Sequence, residues 1–253
     1  GLETTALGFV AGFTGKAIED GLAAQGIHTD FIHLPEGNSR INVKVKHGDE
    51  TEINGQGPVI TEEAINELFA KLDTLTKEDI LVLAGSIPNT LPEDIYEKIL
   101  ASLESKGIRV VVDATKDLLL NVLKYHPFLI KPNNHELGEM FGTVCKTDED
   151  IVHYAKKLQE KGAVNVLISM AGDGAILITE DGQNIKMGTP KGKVVNSVGA
   201  GDSMVAGFIT GYIRGGNYEE ALKSGTAAGS ATAFSEGLAS LEMYEKMLKQ
   251  ITE

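Results

Sequence analysis

Apolar runs of strand length recur along this chain, each handing over to a segment of helical character, and that alternation restricts the fold more than any other feature. Ile80–Ala84 precedes a helix expected near Pro92, and the run 108–113 precedes another near Lys116. The short run 128–130 is stopped by Pro132 and leads into a helix from His135. Strands separated by helices pair in parallel, so an α/β fold with a mostly parallel sheet is predicted. The run 164–169 also reads as a buried strand. Here Gly172, Asp173 and Gly174 form a hairpin signal that returns the chain through Ala175–Ile178. Helices are predicted over 206–213, 218–234 and 241–251.

Open sheets of this kind bind ligands beyond the carboxyl ends of their strands. The stretch 194–208 reads as a β-branched strand entering a turn of Gly199, Ala200 and Gly201, which opens into a helix with Asp202 in its first turn. Residues with almost no side chain let peptide N–H groups approach an anion, and the positive end of the helix dipole points the same way. Asp202 adds a carboxylate that can accept a proton from an attacking hydroxyl. That combination outlines a phosphoryl-transfer site, with Asp202 as candidate general base. The same pattern also describes a turn that lets a helix pack on a sheet, with Asp202 merely complementing the dipole. Gly207 and Gly211 are read as close-packing positions.

Two other loops fall at strand ends. Lys131 and Asn133 follow the run 128–130, and Glu136 lies one turn on, at the start of a helix. A capping role for Asn133 or Asn134, with Glu136 complementing the dipole, explains these residues equally well. Ser169 and the glycine-bearing turn after it stand at the end of the next strand. Asp113 closes its own strand on that edge, where Lys116 offers an ordinary ion-pair partner.

Between residues 38 and 54 the pattern changes. Arg40, Asn42, Lys44 and Lys46 alternate with apolar residues, which predicts one cationic strand face. A Gly48–Asp49 turn and the returning strand 50–54 complete a small hairpin, expected to stand apart from the main sheet as a lid over 28–57. A lid of this kind excludes water from a transfer reaction. Solvated lysines on an edge strand are the plainer explanation.

Taken together, Gly199-Ala200-Gly201-Asp202, Lys131-Pro132-Asn133-Asn134-His135-Glu136 and Ser169-Met170-Ala171-Gly172-Asp173-Gly174 resemble, in order, the signatures of the ribokinase/PfkB sugar kinases. The resemblance runs across essentially the whole chain. It implies a ribokinase-like three-layer sandwich with a small β lid, dependence on ATP and Mg²⁺, and phosphorylation of a sugar. By this likeness Gly199, Ala200 and Gly201 form the anion hole and Asp202 activates the sugar hydroxyl. Asn133 and Glu136 organise Mg²⁺ and the nucleotide phosphates, and Lys131, Ser169, Gly172, Asp173 and Gly174 belong to the nucleotide site. Gly229 and Ser230 border the adenine, although close packing explains that small-residue helix equally.

The segment Arg40-Ile41-Asn42-Val43-Lys44 is similar to family members that act on a ketohexose phosphate, which implies that Arg40 and Lys44 hold the existing phosphate, with Ser86 contributing. Fructose 1-phosphate and tagatose 6-phosphate both fit such a site, because a ketofuranose carries a CH₂O arm at each end. Sugar phosphate and nucleotide are the expected partners, with a homodimer through the lid. The opening residues resemble the family's second core strand, so the family's first strand and Gly-Gly sugar-binding segment are expected to be missing from the chain as given. A sugar-phosphate sensor or inactive fragment is therefore the competing expectation.

The bulk properties agree. With 253 residues and 42% hydrophobic content the chain can bury one sizeable core as a single domain. A net charge of −13 argues against nucleic acid as a partner, since phosphate-backbone binding relies on accumulated Lys and Arg. No apolar run of membrane-spanning length appears, so no membrane partner is expected. The single Cys145 rules out an internal disulfide framework and fits a reducing cytoplasm. His28, His33, His47, His126, His135 and His153 show no metal-ligand spacing.

Overall fold

The computed structural model describes residues 2–47, 49–85 and 87–252; the side chains at 44, 46, 47, 49–52 and 252 lie outside that description. The chain forms two compact units, residues 1–78 with 87–107 and residues 79–86 with 108–253, where the sequence predicts one domain with a lid. Residues 28–57 belong to the first unit.

In the first unit, β1 (Thr5–Ala6) pairs in parallel with β3 (His28–Thr29), and β2 (Phe9–Ala11) with β4 (Ile32–Leu34). Helix α1 (Gly12–Ala24) makes the crossover. Helix α2 (Glu62–Asp73) starts where the Thr61 side chain accepts a hydrogen bond from the Ala64 N–H, and Glu62 and Glu63 complement its dipole. Its buried residues Ala64, Leu68 and Leu72 are spaced by one helical turn, and α3 (Ile95–Leu103) likewise buries Ile95 and Ile99.

β5 (Asn42–His47) and β6 (Asp49–Asn54) form the predicted antiparallel hairpin, with no other strand in their sheet among the described residues. The strand begins two residues after Arg40, so Arg40 precedes the ladder. The register pairs Lys44 with Glu52 and Lys46 with Glu50 along the ladder. On the other face Val43 stands opposite Ile53, and Val43, Val45 and Ile53 are all exposed.

The second unit is built on a six-stranded sheet in the order β12-β11-β10-β9-β8-β7. β7 (Ile80–Ala84), β8 (Arg109–Asp113), β9 (Leu129–Ile130) and β10 (Asn165–Ser169) run parallel. β11 (Ala175–Ile178) and β12 (Asn184–Met187) continue it antiparallel, as the Gly172–Gly174 signal requires. The sheet is mostly parallel, as predicted. Helices α4 (Lys116–Val122), α5 (Asn134–Met140), α6 (Asp148–Glu160), α7 (Ala200–Gly215), α8 (Tyr218–Ala233) and α9 (Leu241–Thr252) complete the unit.

Val111, Leu129, Leu167 and Leu177 pack on Met204, Phe208, Ala221 and Leu222 of α7 and α8. The alternate residues Val110, Ile130, Val166 and Ile168 are buried too, so both faces of the sheet are covered. One predicted strand is absent. Residues 194–198 have no strand partner; instead the N–H groups of Val195 and Asn196 both donate to the Ala233 carbonyl, at 2.8 and 3.2 Å. The β-branched run leaves Val194, Val195 and Val198 exposed, so packing against a sheet face, which gives such residues their strand preference, is missing here.

Helices α7 and α8 meet through glycines. A Cβ on Gly207 would lie 2.6 Å from the Ser224 carbonyl oxygen, and one on Gly211 would lie 2.5 Å from that of Glu220. Alanine at 211 would gain about 1 kcal/mol of helix propensity, but would force the helices apart at a cost of up to about 3 kcal/mol. Gly211→Ala is therefore expected to lower stability by about 1–2 kcal/mol, read as a lower urea midpoint.

Candidate active site

The parallel order of β8, β9 and β10 brings Asp113, Lys131 and Ser169 to one carboxyl edge, because each ends or directly follows its strand. Asn133 forms a parallel bridge with Ser169, joining the two loops that the sequence singled out. The Asn133 side chain accepts a hydrogen bond from the Glu136 N–H at 2.8 Å, and Glu136 Oε2 accepts one from the Asn133 N–H at 2.8 Å. This capping box starts α5. It uses the only side-chain oxygen of Asn133 and one of the two of Glu136, leaving Glu136 its second carboxylate oxygen.

Lys131 is buried, and its Nζ lies 3.2 Å from Asp113 Oδ1. Asp113 therefore pairs with Lys131 and not with Lys116, which instead meets Glu139 at 3.4 Å. Burial pushes the Asp113 carboxyl above its ordinary range; Lys131 opposes that shift, and the negative charges of Asp202 and Glu136 add to it. Asp113 thus feels one ammonium and two further carboxylates.

Gly199 begins α7 in the left-handed region, at φ 79°, which a side chain would strain. A Cβ on Gly201 would lie 3.1 Å from Lys131 Nζ, so the absent side chain gives the ammonium its place against the helix start. The expected trio of amides is modified: the Ala200 N–H donates to the Ser197 carbonyl at 3.2 Å. Among the described residues the N–H groups of Gly201 and Asp202 have no acceptor, and Asp202 is exposed. Two donors without acceptors, a helix N-terminus and a buried cation together suit an anion with a polar, water-facing tail.

Ser169 is half-buried, and Ala171–Asp173 forms an exposed 3₁₀ turn with Gly172 accepting from the Thr189 hydroxyl at 2.8 Å. Gly229 and Ser230 lie within α8. Both are buried in α8, and a Cβ on Gly229 would lie 3.1 Å from the Ala200 carbonyl oxygen. Close packing between helices, the alternative named from sequence, accounts for both. Arg40 is exposed and lies in the other unit. Ser86 and the Lys44 side chain lie outside the described residues.

Residues not anticipated from sequence also shape the loop before α7. Asn196 Oδ1 accepts from the Val198 N–H at 3.2 Å, and its Nδ2 donates to the Glu236 carbonyl at 3.0 Å. The first of these is an Asx turn, which the Asn-Ser-Val-Gly order could have disclosed. The Ser203 and Thr232 hydroxyls bond at 2.8 Å, tying the first turn of α7 to α8; no local pattern signals that pair.

Because a lone buried carboxylate is costly, Lys131→Met is expected to destabilise the fold by about 3–5 kcal/mol, and the double variant Lys131→Met, Asp113→Asn to recover most of that loss in urea denaturation. The raised Asp113 position also sets a sign. Its protonated form favours the folded state, so its contribution is full in acid and is lost as pH rises through the raised value. Asp113→Asn should accordingly flatten the pH dependence of the urea midpoint from the ordinary carboxylate range upward.

Residues 1–243 match the family model of the pfkB family carbohydrate kinases. The chain is 50% identical over 246 residues to the 1-phosphofructokinase of Bacillus subtilis, covering 97% of this chain and 80% of that relative. It is 39% identical over 252 residues to the D-tagatose-1-phosphate kinase of Bacillus licheniformis, covering 99% of this chain and 82% of the relative. A crystal structure of a Staphylococcus aureus protein, 46% identical, superimposes with a TM-score of 0.90 over 98% of this chain and 81% of that one. With the ribokinase-like fold and a family match over nearly its whole length, this chain belongs to the pfkB family of carbohydrate kinases.

Proposed function

We propose that the chain transfers the γ-phosphoryl group of ATP to the free hydroxymethyl group of a ketohexose phosphate, converting fructose 1-phosphate to fructose 1,6-bisphosphate. The observation that carries this reading is Asp202: an exposed carboxylate in the first turn of α7, beside two peptide N–H groups without acceptors. The 50% identity to a 1-phosphofructokinase supports the choice of sugar.

Asp202 accepts the proton of the attacking hydroxyl as its oxygen approaches the γ-phosphorus in line and ADP departs. The N–H groups of Gly201 and Asp202, at the positive end of α7, receive the charge on the non-bridging oxygens. Gly199 and Ala200 supply the turn that aims them, and Lys131 adds a fixed positive charge beneath it. Asn133 and Glu136 are the residues to hold Mg²⁺. Among the described residues no three His, Cys, Asp or Glu side chains group as a metal site. The free Glu136 carboxylate oxygen, with the remaining lone pair of Asn133 Oδ1, suits an ion that takes most ligands from phosphate and water. When bound, the ion neutralises charge on the transferring phosphate chain.

Ser169 and the turn Gly172–Gly174 are assigned to the nucleotide. Arg40, Lys44 and Ser86 are assigned to the phosphate that the sugar already carries. The reaction is placed in the cytoplasm, in keeping with a free, buried Cys145. Among the described residues no helix is long and apolar enough to cross a membrane.

A tagatose phosphate is the second reading, favoured by the 39% identity to a D-tagatose-1-phosphate kinase. Turnover of fructose 1-phosphate, tagatose 1-phosphate and tagatose 6-phosphate, compared by kcat/KM, separates the sugars. Asp202→Asn separates catalysis from mere binding. It is expected to lower kcat by about 10²–10⁴ while nucleotide affinity changes less than about threefold, and undiminished turnover would remove Asp202 from its role.

The exposed apolar face of the hairpin is assigned to a second copy of the chain, since Val43, Val45 and Ile53 face solvent together. Ile53→Asp is expected to convert a dimer to a monomer in light scattering after size exclusion. A parent chain that already measures as a monomer would contradict this.

A further inference from the structure

Arg40 follows directly on a pair of residues tied far back along the chain within the first unit. Helix α1 has Ala11 at its N-cap, which offers no side-chain acceptor. Asn38 supplies one from 25 residues away: its Oδ1 accepts a hydrogen bond from the Phe13 N–H at 3.2 Å. Ser39 is bound through all its polar groups. Its N–H donates to the Ala11 carbonyl at 2.9 Å. Its Oγ accepts from the Ala11 N–H at 3.0 Å, and its carbonyl accepts from the Thr14 hydroxyl at 2.8 Å.

The residue so held is 9% exposed, between exposed neighbours on both sides. The fit is close. A Cβ on Gly12 would lie 2.1 Å from Asn38 Oδ1, and Gly12 has φ +57°. Four hydrogen bonds thus tie this dipeptide to residues 11–14, three residues before the hairpin ladder begins at Asn42.

We propose that Asn38 and Ser39 are positioning residues for sugar-phosphate binding: they anchor the root of the hairpin to the amino end of α1 and so fix the backbone from which Arg40 extends. The inference rests on the assignment of Arg40 to the phosphate already on the sugar. A guanidinium grips phosphate through a planar fork, and the fork is placed only as well as the Cα that carries it. Neither Asn38 nor Ser39 need touch the ligand.

The test is steady-state kinetics of the full-length chain with fructose 1-phosphate and ATP. Ser39→Ala removes the acceptor for the Ala11 N–H, Asn38→Ala removes that for the Phe13 N–H, and Ser39→Thr keeps the hydroxyl. The two alanine variants are expected to raise the sugar KM about five- to tenfold, with kcat and the ATP KM within about twofold of the parent. Ser39→Thr should stay within about twofold throughout. Arg40→Ala is measured alongside. If it raises the sugar KM and the alanine variants do not, the positioning role is overturned alone. If Arg40→Ala leaves the sugar KM unchanged, the assignment of Arg40 fails and the positioning role fails with it. Equal losses of sugar and ATP affinity, or a fall in kcat alone, mark a merely structural role and overturn the proposal. Should Ser39→Ala not fold, Asn38→Ala at its exposed position carries the same test.

Discussion

The second unit turns on the ion pair between Lys131 and Asp113. Both side chains lie mostly out of water, and neither could be buried without the other. Adjacent parallel strands make the pair possible, because β8 ends at Asp113 and Lys131 follows β9 directly. The ammonium also rests against Gly201 at the start of α7. Segments ending near 113, 131 and 201 thus converge on one charge. That convergence is what places a helix N-terminus, two acceptor-free amides and the Asp202 carboxylate at the edge of the sheet.

Local electrostatics there run against the character of the whole chain. At a net charge of −13 the protein repels phosphates at long range, and Asp113, Glu136 and Asp202 are themselves negative. Attraction must come from groups at short range: the positive end of α7, the Gly201 and Asp202 N–H groups and the Lys131 ammonium. A salt-screened solution weakens the long-range repulsion and leaves the short-range donors intact. The acidic side chains then have separate tasks, Asp113 holding Lys131, Glu136 capping α5 and Asp202 facing solvent.

Much of this was legible from residues near one another in sequence. The parallel strands, the hairpin at Gly172–Gly174 and the helix opening at Gly199–Asp202 all follow from local pattern. At Asn133 and Glu136 the capping reading is realised, and the box leaves Glu136 its second carboxylate oxygen for a ligand. Other readings failed for physical reasons. The β-branched run 194–198 has the composition of a strand but no edge to pair with. Lys116 is close to Asp113 in sequence, yet the neighbouring strand delivers Lys131 to it instead.

The sequence by itself determined the βα alternation, the turn chemistry before α7, the capping spacing in α5 and the lone carboxylate in a helix's first turn. These depend on propensity, periodicity and steric freedom, all of which act over a few residues. Only the tertiary structure decided which lysine Asp113 holds, that Ala200's amide is already engaged, and that Asn38 and Ser39 reach back to the start of α1. Those pairings join residues far apart in the chain, each with several partners of suitable chemistry, and the choice among them is made by which backbones pack close enough to exclude the rest.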